Sequence, residues 1–449
     1  MKLPDSPRLS RWQESIRLIL NPTAFFDTLQ EYYGDAFILG NRKFPVVYLS
    51  HPQAIKELLT ANPNLFAAPI LSSIGIFGTQ SVILTEGKRH QYQRRLLMPP
   101  FHGERLRAYS QLICDITQQV TASWTVGQSF RINSVMKEIT IRVILQAVFG
   151  LHQGQRYKQF SHLLRSFLDA IDTRTHVCLL LFPTLRRKIG SWNLWGEHVR
   201  QGEQIDQFIY DEIQQLRQSI DDERTDILTL LLMARDENGQ ALTDAEIRDQ
   251  LMTLLFAGYK DPANTLTWTL FWTHYYPEIK SKLESEIATI QADADLSVIT
   301  RLPYLNAVCQ ETLRLNPVGL GTLPRRLKAP LQIMDYQFDP GTTLIGCFYL
   351  THQREDLYPQ PKLFKPERFL DRQFSPYEYF PFGGGDRTCI GMAFTMLEMK
   401  LILATILSHW QVDLAEQHPV KPVARSLTLA PPPDLQMVVK GQRQSQKQS

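Results

Sequence analysis

From about Phe101 to Pro317 this chain of 449 residues sets apolar side chains at three- and four-residue intervals with hardly a break. A pattern that long fits only a body of amphipathic helices packed on one another. Its flanks read differently. AFILGNRKFPVVYLS alternates as a β-hairpin turning at Gly40-Asn41, and Pro52 suits the first turn of the helix after it. LQIMDYQFDPGTTLIGCFYL reads as short strands about an Asp339-Pro340-Gly341 turn, and SLTLAPPPDLQMVVKG as a closing hairpin. With no internal repeat and no low-complexity linker, the expected architecture is mainly α with a minor β lobe, from about 35–50 and 325–350. One domain over 1–449 is expected, ending in a disordered tail, QRQSQKQS, at about 442–449.

Charge and cysteine content narrow the function. A net charge of +3 is small for this length and gives no global argument for a nucleic-acid partner. Five scattered cysteines without a C-x-x-C pair suit a reducing cytoplasmic compartment better than a disulfide framework or zinc. The N-terminal MKLPDSPRLSRWQESIRLIL is too short in apolar run to be a transmembrane anchor, so a soluble chain is expected. Trp12, Ile16, Leu18, Ile19 and Leu20 leave peripheral membrane contact open beside a packed N-terminal helix.

One stretch of the helical body breaks its own rule. LLFAGYKDPANTL, residues 254–266, keeps helical spacing through Leu251, Leu254, Leu255 and Leu266 yet carries Gly258, Lys260, Asp261 and Pro262. Pro262 has no N–H to donate and its ring crowds the Gly258 carbonyl. Two geometries answer this. Either a continuous helix is kinked there, or one helix ends near Tyr259 and another starts with Asp261 as N-cap and Pro262 at N1.

A second stretch carries the strongest chemistry. In PFGGGDRTCIGMAF, residues 381–394, three glycines allow close backbone approach, and Cys389 precedes an amphipathic run through Met392, Met396, Leu397 and Leu401. A sulfur at a helix N-terminus is biased toward thiolate and suited to a soft metal. Zinc lacks a second ligand at the right spacing, and a P-loop lacks its Lys-Ser or Lys-Thr. A buried inert cysteine in a glycine turn is the plainer reading.

Two further motifs bear on that choice. In NAVCQETLRLNP, Glu311 and Arg314 share a helix face, and FKPERF places Arg368 beyond them. E-x-x-R, then P-E-R-F, then F-x-x-G-x-R-x-C-x-G, in this order near the C-terminal end, resembles the cytochrome P450 family across almost the whole chain. The resemblance implies that fold, with the cofactor, heme b (iron protoporphyrin IX), between the long central helix and the Cys389 loop. It implies Cys389 as the axial thiolate of the iron, with Phe382 packed on that side. Glu311, Arg314 and Arg368 match the structural triad of the family. His90 and Arg94, on one helical face of EGKRHQYQRRLLMPPF, fall where the family binds heme propionates. Arg387 and Arg325, the latter preferred over Arg326, are the other propionate candidates.

By the same resemblance, residues 257–261 occupy an A-G-x-acid-Thr motif in which the acid and alcohol relay protons to the reacting dioxygen. Ala257 and Gly258 match, but Lys260 and Asp261 stand where the acid and Thr belong. Atypical catalysis is therefore expected at Gly258, Lys260 and Asp261. Asp261 with water acts as general acid, or Lys260 holds it ionised, or Lys260 binds a fatty-acid carboxylate. The apolar segments LFAAPILSSIGIFGTQSVILTEG and CLLLFPTLRRKIGSWNLWG fall where the family has a substrate loop and an access lid, suiting a long apolar ligand. The general run looks like soluble bacterial monooxygenases that insert oxygen into C–H bonds of fatty acids. No flavin or nicotinamide fingerprint appears, so electrons are expected from a separate ferredoxin and its reductase, docking near Arg89, Arg95, Arg326 and Lys400. Two rivals stay open, a peroxide-driven or hydroperoxide-rearranging heme enzyme and a non-catalytic heme sensor.

Overall fold

The computed structural model describes residues 3–41, 44–69, 77–171, 173, 194–218, 224–235, 239–290, 295–425 and 428–443. Its helices, in chain order, are α1 (Arg11–Leu20), α2 (Pro22–Tyr33), α3 (Pro52–Thr60), α4 (Gly87–Leu97), α5 (Gly103–Thr121), α6 (Ile132–Phe149), α7 (Gly154–Ile171) and α8 (Leu194–Gln218). There follow α9 (Ile227–Met233), α10 (Asp244–Tyr275), α11 (Pro277–Ile287), α12 (Leu296–Arg301), α13 (Pro303–Leu315), α14 (Phe348–Thr351), α15 (Arg368–Asp371) and α16 (Met392–His409). The mainly helical reading holds. Local chemistry sets several starts: Ser10 and Gln13 form a capping box on α1, Asn21 caps α2, and Asp226 caps α9. Proline in the first turn opens α2, α3, α11 and α13.

The chain divides into two compact units. The first holds residues 1–69, 106–139 and 261–449; the second holds 70–105 and 140–260. In the first unit a five-stranded sheet runs β1 (Ala36–Asn41), β2 (Phe44–Leu49), β8 (Thr343–Gly346), β5 (Arg325–Leu327), β3 (Phe66–Ala67), in that spatial order. Only the β2–β8 pair in it is parallel, with Val46 opposite Thr343. Val47, Leu49, Ile55, Leu58, Leu344 and Phe380 share a core cluster that joins this sheet to α3. Each such side chain contributes about 1.5–3 kcal/mol through burial. Helix α16 is buried along most of its length, from Phe394 to Leu407.

Two sequence expectations change. Gly40 and Asn41 lie inside β1, paired with Pro45 and Phe44, so the hairpin does not turn at them. The strands of SLTLAPPPDLQMVVKG do not pair with each other. β11 (Thr428–Ala430) joins β10 (Val423–Arg425), and β12 (Gln436–Gln442) lies between β4 (Ser129–Arg131) and β9 (Trp410–Leu414). Three prolines separate the runs, too stiff and too long for a tight turn. β12 also carries Gln442 into a strand, and the Arg443 amide donates to the His409 carbonyl at 2.8 Å. The expected tail from 444 on lies outside the described residues.

The second unit is built from α4, the C-terminal part of α6, helices α7 to α9, and the first half of α10. Phe160 stacks on Phe208 at 3.8 Å and meets Phe149 edge-on. The segment from Gly78 to Val82 is tied to α10 by side chains. Asp249 accepts from the Gln80 amide at 2.8 Å, Gln250 accepts from the Val82 amide at 3.0 Å, and Thr253 shares a 2.7 Å bond with Ser81. A Cβ on Gly78, whose φ is +66°, would lie 2.1 Å from an Asp249 oxygen. Only glycine fits that approach.

Candidate functional site

Packing and turn chemistry together shape the cysteine loop. Gly383 and Gly385 hold left-handed φ values of +70° and +67°. A Cβ on Gly384 would meet Leu59 Cδ1 at 2.6 Å, and one on Gly385 the Leu59 carbonyl oxygen at 2.3 Å. The three glycines thus let the loop lie against the end of α3. The Cys389 amide donates to the Phe382 carbonyl at 2.9 Å and closes the loop. Helix α16 starts at Met392 with Gly391 as N-cap, so the thiol stands just before the first turn. Cys389 is exposed, whereas Cys114, Cys309 and Cys347 are buried, and burial pushes the thiols of Cys309 and Cys347 up to about 12. Cys178 lies outside the described residues. Among the described residues no three His, Cys, Asp or Glu side chains gather as a multi-ligand metal site.

Arg325 on β5 reaches the same loop. It is 4% exposed, donates from Nη2 to the Gly384 carbonyl at 3.0 Å, and pairs with Asp386 at 3.0 Å. Burial lowers its pKa, opposed by the Asp386 charge. Its buried Nε–H has no hydrogen-bond partner among the described residues. Arg326 points the other way and is exposed, as strand alternation requires. Arg387 is half-buried, with its Nε 3.9 Å from Asp386.

A buried polar network backs the loop. Arg314, fully buried, donates to Glu311 through Nε at 2.6 Å and Nη2 at 2.9 Å, and Arg368 Nε reaches Glu311 Oε1 at 3.0 Å. The Lys365 amide adds 2.8 Å to the same oxygen. Arg314 Nη1 donates to the His352 carbonyl at 2.7 Å. So the three motif residues do come together, and His352, which no motif singled out, joins them.

Helix α10 is continuous from Asp244 to Tyr275, with Pro262 inside it. The alternative of a helix restarting at an Asp261 cap is thereby overturned, because the apolar period on both sides keeps the helix packed through the proline. Gly258 is where another chain segment comes close: a Cβ there would lie 2.6 Å from Ile144 Cδ1 on α6. Thr140 Oγ1 donates to the Tyr259 carbonyl at 2.9 Å, one residue along from the carbonyl that Pro262 leaves without a helical donor. Leu254, Phe256, Ala257, Gly258 and Asp261 are the more accessible residues of this otherwise buried stretch; all but Phe256 are spaced as one helix face, and Ala257 is exposed. Lys260 lies off that face and is 5% exposed.

On α4, His90 is 3% exposed, Arg94 half-buried one turn on, and Arg95 exposed. The expected basic docking patch changes. Arg89 pairs with Glu246 at 2.8 Å, and Lys400 is partly buried, donating to the Thr300 carbonyl at 2.9 Å. Burial lowers the Lys400 pKa. A long aliphatic stem lets lysine cover apolar surface while its ammonium bonds a carbonyl. The central part of the substrate-loop segment, 70–76, and most of the lid segment, 178–193, lie outside the described residues. Of the N-terminal apolar residues, Trp12, Ile16 and Leu20 are exposed on α1, and Leu18 and Ile19 half-buried. Among the described residues one helix, Met392–His409, is apolar and long enough to cross a bilayer, and 61% of it is buried inside the fold.

Comparison with known proteins agrees with this arrangement. The family model described as Cytochrome P450 matches residues 6–439. Cytochrome P450 135B1 of Mycobacterium tuberculosis is 32% identical over 438 residues, covering 96% of this chain and 90% of its own length. Cytochrome P450 138 of Mycobacterium bovis is 28% identical over 418 residues, covering 92% and 90%. Among solved structures, a retinoic acid-bound cyanobacterial CYP120A1 has a TM-score of 0.84 at 24% identity over 99% of this chain and 100% of its own. The heme domain of cytochrome P450DA also reaches 0.84, at 21% identity over 98% of both chains.

Proposed function

As this chain belongs to the cytochrome P450 family, a heme b-dependent oxidoreductase of monooxygenase type, we propose that it hydroxylates a long apolar substrate such as a fatty acid, with Asp261 delivering protons in place of an acid–threonine pair. The observation that carries this reading is the α10 face on which Ala257, Gly258 and Asp261 stand accessible beside a proline that withholds one backbone donor.

The residues suit a heme. Cys389 is an exposed thiol in a tight glycine loop, and Arg325 presents a buried N–H with no hydrogen-bond partner among the described residues. Cys389 would hold the iron, and Arg325 and Arg387 would be the cations for the propionates, with His90 and Arg94 assigned to them as donors by family position alone. When bound, the heme supplies the redox chemistry by which dioxygen is activated. The overall balance takes R–H, O2, two electrons and two protons to R–OH and water. Electrons come from a separate ferredoxin and reductase.

The protein's part is the proton. Asp261 can take a proton from solvent and pass it on along the accessible face, through water held at the Gly258 carbonyl. Lys260 is buried off that face, which argues against its meeting a substrate carboxylate and for a structural role beside Asp261. The apolar Phe77–Phe256 edge-on pair, centroids 5.0 Å apart, supports an apolar ligand at the α10 side of the substrate-loop segment.

Single-turnover reduction of the ferrous–dioxygen enzyme with a C12–C16 fatty acid tests this. Asp261→Asn is expected to lower product formed per electron pair by about 100-fold, with the balance appearing as peroxide. Unchanged coupling in that variant would remove Asp261 from the proton path. A reduced carbonyl complex without the thiolate-type Soret band would remove Cys389 from the iron.

A further inference from the structure

We propose that His352 is a positioning residue for the heme-ligand loop: its unprotonated Nε2 holds the Phe380 amide and so links the Glu311–Arg314 network to the turn that presents Cys389. This rests on Cys389 being the iron ligand. The connection is a short series of bonds. Arg314 Nη1 donates to the His352 carbonyl at 2.7 Å, and the Phe380 N–H donates to His352 Nε2 at 3.1 Å. The Phe380 carbonyl then accepts from the Gly383 amide at 2.9 Å, and the Phe382 carbonyl from the Cys389 amide at 2.9 Å.

Among the described residues no other hydrogen bond to the His352 ring explains a histidine. The ring is fully buried, stacked on Tyr379 with centroids 5.4 Å apart and edge-on to Phe380 at 5.5 Å. A phenylalanine would satisfy such a cage on packing grounds alone. An acceptor at Nε2 requires the tautomer with its proton on Nδ1, and Nδ1 is buried without a hydrogen-bond partner among the described residues. The fold therefore tolerates one orphaned N–H in order to satisfy the amide at the entrance of the ligand loop. Burial first, and the nearby Arg314 charge second, hold the imidazole pKa well below its ordinary value. A protonated ring could not accept from Phe380.

The arrangement also has a direction. Glu311 and Arg314 lie on α13, His352 follows α14, and Phe380 belongs to the core cluster shared with Ile55 and Leu58 of α3. The loop is thus held on one side by packing against α3 and on the other by a directional bond from His352. Packing fixes depth; the bond fixes rotation of the Phe380 peptide.

The test needs readouts that a mere packing role leaves alone. Hydrogen exchange of the Phe380 amide, measured on the full chain, is expected to run about tenfold or more faster in His352→Phe, which keeps the ring and deletes the acceptor. The same variant, reconstituted with heme, is expected to convert the thiolate-type Soret band of the reduced carbonyl complex to the shorter-wavelength thiol type. His352→Gln, whose Oε1 can stand near Nε2, is expected to restore both. Leu350→Ala, a cavity variant of the same short helix, is expected to lower stability while keeping the thiolate band. Wild-type Phe380 exchange in His352→Phe, or loss of the band in Leu350→Ala to the same extent, would overturn the proposal. Should His352→Phe not fold, the nitrogen shifts of histidine-labelled wild-type protein decide, since a protonated Nε2 at His352 rules it out. Exchange and nitrogen shifts need no heme, so they fail independently of the assignment of Cys389.

Discussion

Gly385 and Gly258 both have an atom where a side chain would begin, but the two obstacles differ in kind. At Gly385 it is the Leu59 backbone carbonyl at 2.3 Å, and φ is +67°. At Gly258 it is the end of the Ile144 side chain, and the backbone is helical. Gly385→Ala is therefore expected to cost roughly 2–3 kcal/mol with no second-site remedy, seen as a lower urea midpoint and poor heme retention. Gly258→Ala is expected to cost about 1–3 kcal/mol and to be largely rescued by Ile144→Ala, a coupling that a double-mutant cycle measures. Sequence reading found Cys389, Glu311, Arg314 and Arg368 because local spacing carries them. It could not find His352 or Thr140, whose partners lie 28 and 119 residues away and whose neighbourhoods bear no pattern. It also took Gly258 chiefly as a functional glycine, whereas its contact with Ile144 is a packing demand visible only in three dimensions.

Helices α10 and α16 each contain a residue that a smooth apolar helix would not. For α10 the sequence posed the question correctly, and periodicity on both sides of Pro262 decided for continuity. Glu398 in α16 drew no notice, because an i-periodic apolar run says nothing of which polar exception points inward. It is 1% exposed, and neither carboxyl oxygen has a hydrogen-bond partner among the described residues. Burial alone raises its pKa well above the ordinary carboxylate value. The folded state therefore keeps a proton that the unfolded chain releases above about pH 4.5, so this group costs stability increasingly as pH rises. Glu398→Met is expected to stabilise the protein by about 1–3 kcal/mol at pH 7 and by less at pH 5, read from urea unfolding at both.

For the whole molecule the buried histidines act in the opposite sense. Burial, then the Lys280 charge, lowers His274 from 6.5 to about 4, and His352 is lowered too. Both stay neutral when folded but take up a proton on unfolding below pH 6.5. Stability is fully present above that value and falls as pH drops toward 4, by roughly 3 kcal/mol for His274 alone. Urea midpoints between pH 4 and 8 are expected to peak near pH 6, flanked by a histidine slope on the acid side and the Glu398 slope on the other. The mainly helical body and minor β lobe were legible because periodicity is local, while strand partners were not. β12 takes β4 and β9 from far along the chain, and no hairpin signal announces that. The fastening of Gly78 through Val82 onto α10 has a practical corollary for engineering. Anyone grafting this loop into a relative must transplant Asp249, Gln250 and Thr253 with it, since these α10 side chains are the sockets into which the loop plugs.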